Sequence, residues 1–228
     1  MYRFLSVFIA VIILCSGLFA EEKEGGPVLS FKNGMSYNIQ ETSKMPNQTM
    51  RNLWKFTVIK VFPDKSALIE FVIEKMETGP SPDALKEKTD SSMKDRKQYY
   101  LYTKNGLIYI VGGGMPGTGN EIDELKKAGD TKKWFINQQR FPMDWYKLPL
   151  KKIAINSSAT RSLPGEDQKW TIKRLKDENI AGKSLEVYEA KDSTGSVTEI
   201  CWYDPAEKIV IKRKMIQGAD VEIEQIRM

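Results

Sequence analysis

The chain has 228 residues, 29% of them charged, with 35 Lys+Arg against 30 Asp+Glu and a formal net charge of +5. The charges are interspersed, with no run of five of one sign, so the concentrated basic stripe that nucleic-acid binding needs is missing. There is no histidine and there are two cysteines, which excludes Ser-His-Asp and Cys-His catalysis, His-ligated zinc or copper, and histidine proton relays.

In chain order, residues 1–20 read MYRFLSVFIAVIILCSGLFA. One charge, Arg3, precedes an apolar run from Phe4 to Leu14 broken by Ser6. Ser16, Gly17 and Ala20 then lead to Glu21-Glu22. That order is a secretory signal peptide, with the cut expected after Ala20. The run is shorter than the roughly 18 residues of a membrane-spanning helix. The expected product is one β-rich domain over 21–228, exported to the periplasm. A rival reading makes Cys15 a lipidation site that would hold the chain on a membrane surface, although Leu14 stands where a small residue is wanted. A cut after Ala20 leaves Cys201 alone, so no intramolecular disulfide is expected in a compartment that would permit one. Cys201 reads as a small buried hydrophobe.

Beyond a polar lead-in from Glu21 to Pro27, apolar and polar residues alternate with the period of half-buried strands. Met35, Tyr37 and Ile39 form one such set. Trp54, Phe56 and Val58, then Ile69, Phe71 and Ile73, form two more. Pro63-Asp64-Lys65 lies between those two, so 53–62 and 66–76 are expected to pair as a hairpin. Ser81-Pro82-Asp83 opens a weakly amphipathic candidate helix reaching about Lys88, followed by a polar loop over 89–97. Gln98–Lys104 faces Leu107–Val111 across Asn105-Gly106, residues that tolerate the positive φ of a two-residue turn. Gly112–Gly117 spells G-x-G-x-x-G. Pro116, Thr118 and Gly119 delay any helix after it, so it is read as a connecting loop and not a dinucleotide site.

The best helix runs from Asn120 to Gly129, with Asn120 as cap, acids in its first turn, Lys126 and Lys127 in its last, and Gly129 as stop. Strand patterns return at Trp170 and Ile172, at Leu185 and Val187, and over Val197–Tyr203, Ile209–Ile216 and Val221–Glu224. Turns are expected at Asp192–Gly195 and Asp204–Glu207, with a break at Gly218. Asn47-Gln48-Thr49 and Asn156-Ser157-Ser158 match the glycosylation sequon and are read as chance matches. The fold class is mainly β (α+β): antiparallel strands with a central insertion, about 80–145, holding one or two short helices.

The candidate ligand-binding residues are Trp54, Phe56, Phe71, Tyr109, Trp170 and Trp202. In the plain reading such strand aromatics are core. On the concave side of a sheet that curls without closing they would line an apolar cavity. No catalytic residue, metal ligand or cofactor is assigned: methionines are scattered, and no Asp-x-Asp-x-Asp-Gly calcium loop occurs.

Three stretches carry a resemblance. Lys147-Leu148-Pro149-Leu150-Lys151, with Lys169-Trp170-Thr171-Ile172 after it, resembles an "LPL…W" stretch. Ile200-Cys201-Trp202-Tyr203-Asp204-Pro205-Ala206-Glu207-Lys208-Ile209-Val210-Ile211-Lys212 resembles a "WYdP" hairpin, and Asn33-Gly34-Met35-Ser36-Tyr37 is similar to the first strand of the same proteins. These are the periplasmic DUF3108-like β-rich exported proteins and, more remotely, the LolA/LolB-like lipoprotein carriers. Glu207-Lys208 departs from the glycine usual in that hairpin. The resemblance covers the chain from about residue 144 and, loosely, 21–70; it does not reach 80–145. It implies a curved antiparallel half-barrel around an apolar interior, which in the carrier branch accepts acyl chains. Its motifs are structural and bring no active site. The expected function is therefore an exported, non-enzymatic cell-envelope protein that binds a hydrophobic ligand (lipid or acyl chain) or a protein partner on its concave face. The alternatives are an accessory subunit of an envelope complex and a hydrolase with two carboxylates roughly 5–9.5 Å apart.

Overall fold

The computed structural model describes residues 26–88, 96–104, 107–111, 119–131, 143–144, 146–162 and 169–228. The leader with Cys15 and Ala20, most of the 89–97 loop, the Asn105-Gly106 turn and the Gly112–Gly117 loop lie outside them.

The alternating runs become strands β1 (Ser36–Met45), β2 (Gln48–Val61), β3 (Ala67–Gly79), β5 (Lys97–Tyr102), β6 (Leu107–Val111), β9 (Lys169–Arg174), β11 (Lys183–Asp192), β12 (Val197–Asp204), β13 (Ile209–Gln217) and β14 (Val221–Arg227). Shorter strands are β4 (Lys86–Glu87), β7 (Met143–Asp144), β8 (Ser158–Ser162) and β10 (Glu178–Ile180). They form a curved, unclosed antiparallel sheet in the order β7-β6-β5-β3-β2-β1-β14-β13-β12-β11-β9-β8, with β4 on β3 and β10 on β11. Most neighbours in that order follow one another in the chain, as a meander requires. The central join is different: the first strand pairs with the last, Ile39 opposite Arg227 and Ser43 opposite Ile223. Register shifts at Leu53/Trp54, Val58/Lys60 and Trp202/Tyr203 bend the long strands.

Local chemistry accounts for the turns. Asp64 Oδ1 accepts from the Ser66 amide at 3.0 Å and from Ser66 Oγ at 2.6 Å, while Lys65 takes φ 67°. Asp204 Oδ1 accepts from the Ala206 and Glu207 amides at 2.9 and 3.0 Å. Lys208, at the position of the expected glycine, sits at φ 57° and donates its amide to Asp204 O at 2.7 Å. The helix, α1 (Gly119–Lys127), starts one residue before Asn120 and so leaves that residue inside its first turn, not at its cap. The helix expected from Ser81 to about Lys88 is absent. Pro82–Ala84 makes one 3-10 turn, Leu85 is extended, and Lys86–Glu87 returns to pair with β3. An apolar face too weak to bury anything leaves strand pairing to win there.

One large cluster takes residues from strands far apart in the order, with Tyr102 on β5 and Trp170 on β9 both in it, so the face they share is the inside of the curve. Phe56, Ile69, Phe71, Ile172, Tyr188 and Cys201 also belong to it. Two connecting segments fill the concavity. Leu29 donates to Lys104 O at 2.8 Å, Ser30 to Lys208 O at 2.9 Å, and the Tyr203 hydroxyl to Val28 O at 2.8 Å, so residues 28–30 bridge the two arms. Tyr146 and Leu148 pack against the same cluster. Two smaller clusters lie apart from it: Phe62, Leu68 and Leu101 under Leu125 of α1, and Leu185, Val187 and Trp202 beside β10.

A candidate ligand pocket beside a buried polar seam

Across the middle of the concave face, register puts four polar residues in line. Arg213 on β13 is opposite Gln225 on β14, Gln225 opposite Glu41 on β1, and Glu41 opposite Asn52 on β2. Side chains link them. Gln225 Nε2 donates to Glu41 Oε2 at 2.6 Å, Asn52 Nδ2 to Glu41 Oε1 at 3.3 Å, and Arg213 Nη1 to Gln225 Oε1 at 3.5 Å. At the far end Arg213 Nη2 meets Glu199 Oε2 of β12 at 2.7 Å. Glu199 is 1% exposed and also accepts from the Lys147 amide at 2.9 Å and from Cys201 Sγ at 3.2 Å.

Burial alone would raise the Glu199 pKa. The Arg213 charge, Lys147 and the hydrogen bonds outweigh it and hold the carboxyl below its ordinary value. Burial, with Glu199 beside it, pushes the Cys201 thiol well up, so this cysteine is a packed, protonated group. Glu199 is thus an ionised structural partner and not a proton donor. The other buried acids are also engaged in structure. Asp192 accepts from Thr194, Ser196 and the Val197 amide, and Asp204 from its turn amides and Lys183. Among the described residues no group of three His, Cys, Asp or Glu side chains could hold a metal ion. No described helix is long and apolar enough to cross a membrane.

Beside the seam lies a pocket of about 30 Å³ lined by Ile39, Glu41, Trp54, Phe71, Tyr100, Tyr102, Ile108 and Gln225. That is room for a water molecule or two, at roughly 10–15 Å³ each. Its apolar wall is an aromatic stack: Phe71 makes edge contacts with Trp54, Phe56 and Tyr100 at 6.1, 4.6 and 5.1 Å between centroids. Its polar wall is the Glu41–Gln225 part of the seam. Buried atoms with no hydrogen-bond partner among the described residues include the indole Nε1 of Trp54, a lining residue, the amide Oδ1 of Asn52, which lies outside the lining, and Nη1 of Arg227. A smaller adjoining pocket shares Ile39 and Gln225 and is lined by Arg213 and Arg227, with the Arg227 guanidinium 3.9 Å from the Tyr37 ring centre.

Of the six aromatic residues singled out from the sequence, Trp54 and Phe71 line the pocket. Phe56 is 1% exposed behind them, stacked on Tyr37 at 4.4 Å. Trp170 belongs to the same inner cluster but sits under Lys147, 4.8 Å from its ammonium. Tyr109 and Trp202 fall in the two outer clusters; Trp202 donates to Glu178 Oε2 at 2.8 Å there. The pocket residues missed from the sequence are Ile39, Glu41, Tyr100, Tyr102, Ile108 and Gln225. Asn52, Arg213 and Glu199 join them only through register, since strands distant in the chain contribute each one. The parity that relates Asn52 to Trp54 is the one available signal.

No family model matches the chain, and no curated protein does. The resemblance to DUF3108-like proteins therefore stays one of motifs. Three solved structures are similar in part. An outer membrane lipoprotein-sorting protein domain from Vibrio parahaemolyticus is 11% identical over 84% of this chain and 82% of its own, with a TM-score of 0.27. A DUF1329 family protein from Desulfovibrio piger is 7% identical over 85% and 82%, at 0.26. An exported protein with a YmcC-like fold from Bacteroides fragilis is 8% identical over 89% and 97%, at 0.32. Likenesses at these scores carry no residue, ligand or partner over to this chain.

Proposed function

We propose that this chain is an exported, non-enzymatic cell-envelope protein that binds a hydrophobic ligand with a polar end at the concave face of its half-barrel. The observation that carries this reading is the pocket's divided wall: aromatic rings on one side and, on the other, a half-buried carboxylate, Glu41, bonded to the buried carboxamide of Gln225. An amphiphile is the ligand class that satisfies both sides. The leader sequence supports export, with the cut after Ala20 or lipid attachment at Cys15 as its two outcomes. A whole acyl chain asks for a pocket on the order of 300 Å³, against about 30 Å³ here. Deeper entry therefore requires Trp54 and Tyr100, both half-buried, to turn aside. Native mass spectrometry of protein gently extracted from its own envelope tests the proposal. The expected spectrum shows a mature chain beginning at Glu21 with a bound amphiphile of a few hundred daltons. A bare polypeptide in every preparation would overturn the ligand reading.

A second reading, an accessory subunit of an envelope complex, is favoured by one feature. Leu150 and Ile155, 51% and 49% exposed, project from the same connecting segment. Stoichiometric co-purification of a second protein, lost in a Leu150→Ser/Ile155→Ser variant, would support this reading over the first.

A further inference from the structure

The segment that leads into β8 presents two aliphatic side chains that the fold does not use. Its other apolar residues are held inward: Leu148 is 1% exposed, its carbonyl accepts from Arg161 Nη1, and Ile153 packs against the inner cluster. Leu150 and Ile155 are 51% and 49% exposed. Ile155 stands in a tight turn, in which the Ser157 amide donates to Ala154 O at 3.0 Å and Asn156 takes φ 66°. Turns of that kind favour small polar residues, so folding does not call for an isoleucine there. Lys151 and Lys152, both exposed, lie between the two aliphatic residues and form no ion pair with a described residue. Asp177, close in sequence to the Arg174 whose carbonyl accepts from the Asn156 amide, is held by that arginine at 2.5 Å.

We propose that Leu150 and Ile155, with Lys151 and Lys152, rest on the head groups of an anionic phospholipid bilayer. The proposal goes beyond ligand binding and does not depend on it. The place where the chain enters the fold selects this occupant. Gly26 lies so close to the backbone of Pro149 and Leu150 that an added Cβ would be 2.6 Å from both carbonyl oxygens. Ala20 is six residues before Gly26 and Cys15 eleven, extended reaches of at most roughly 22 and 40 Å. With the leader cut after Ala20 or with lipid on Cys15, the exported chain leaves a membrane next to Leu150. The aliphatic side chains enter the boundary between head groups and acyl chains, while the ammonium groups stay at the phosphates. Glu21, Glu22 and Glu24 outnumber Lys23 in the lead-in and offset part of the attraction, so the aliphatic pair contributes more. Two side chains fall far short of the roughly 800 Å² per partner that a stable protein interface buries, whereas a fluid lipid surface needs no complementary shape.

The test uses the full chain expressed with its own leader and carrying Cys15→Ser, so that no acyl anchor contributes. Cys201 is 1% exposed and stays unlabelled, so Ile155→Cys takes a single environment-sensitive fluorophore. Ser193→Cys, in the turn at the other end of the neighbouring strands, is the control. Vesicles of phosphatidylglycerol and phosphatidylethanolamine should shift the emission of the label at 155 to the blue and leave the label at 193 unchanged. In cosedimentation of unlabelled protein, Leu150→Ser/Ile155→Ser should weaken binding at least about tenfold. Lys151→Gln/Lys152→Gln should weaken it by roughly fivefold per lysine on these vesicles, with little effect on phosphatidylcholine alone. No shift at 155, equal shifts at 155 and 193, or undiminished binding by the serine variant would overturn the proposal. So would a second protein that co-purifies from the envelope and is lost in the serine variant while vesicle binding is unchanged. The labelling readout needs neither double variant to fold.

Discussion

Replacing Arg213 with leucine should expose the cost of the buried pair at the end of the seam. The Glu199 side chain is 1% exposed and Arg213 10%, so the change strands a carboxylate in the interior. Breaking a buried ion pair from one side costs about 3–5 kcal/mol. Glu199 keeps the Lys147 amide and Cys201 Sγ as partners, which places the loss near the lower bound, about 3 kcal/mol. The pH dependence is more diagnostic than the size. In the unaltered protein the Glu199 pKa is depressed, so the pair stabilises above the unfolded glutamate value of about 4.3 and this contribution fades as pH falls through the folded value. In Arg213→Leu, burial without the guanidinium raises that pKa. The penalty then exists above the unfolded value and is relieved as acid protonates Glu199. The gap in urea unfolding free energy should thus be widest near neutrality and should narrow as pH falls toward and below about 4. Arg213→Leu/Glu199→Leu should recover most of the loss. A gap that is the same at both pH values, or under about 1 kcal/mol at neutrality, would refute the assignment of this pair as a buried, mutually dependent unit.

Two further outcomes follow from particular residues. Lys208 occupies the left-handed region at φ 57°, which costs a side-chain-bearing residue roughly 1–2 kcal/mol; Lys208→Gly should raise the unfolding free energy by a net ~0.5–1 kcal/mol, and a fall in thermal midpoint would contradict the turn geometry. Phe56, 1% exposed and in ring contact with Tyr37, Phe71 and Tyr102, should lose about 3–5 kcal/mol on Phe56→Ala in denaturant titration, whereas a loss under about 1 kcal/mol would mean the inner face is not the packed core.

Much of the β architecture is legible in the chain because its signals are local. Alternation marks β1, β2 and β3, and Pro63-Asp64-Lys65 and Asp204–Glu207 mark turns through carboxylates that cap their own backbone. The strand at Ser158–Ser162 is short, polar and on the sheet's edge, so it has no apolar pattern to read. The helix expected near Ser81 rests on a proline at its start, and Pro82–Ala84 completes only one 3-10 turn. Gly79, where an added Cβ would lie 2.2 Å from Ala84 O, shows how tightly that stretch folds back on β3.

Which aromatic residues face inward is a different kind of question. Cys201, Trp202, Tyr203 and Asp204 are all buried, because β12 is covered on both faces, and a strand covered on both faces loses the alternation that would mark its inner side. Trp202 and Tyr109 accordingly fall outside the inner cluster, although their neighbours Cys201 and Ile108 belong to it. The polar seam lay further still from view. Residues 41, 52, 199, 213 and 225 meet because β1 and β14 pair, joining the two ends of the sheet-forming chain. Strand period, turns and the leader are properties of neighbouring residues and can be read along the chain. Inside and outside, and the company Glu41 keeps, depend on register between distant strands, which no stretch of sequence contains on its own.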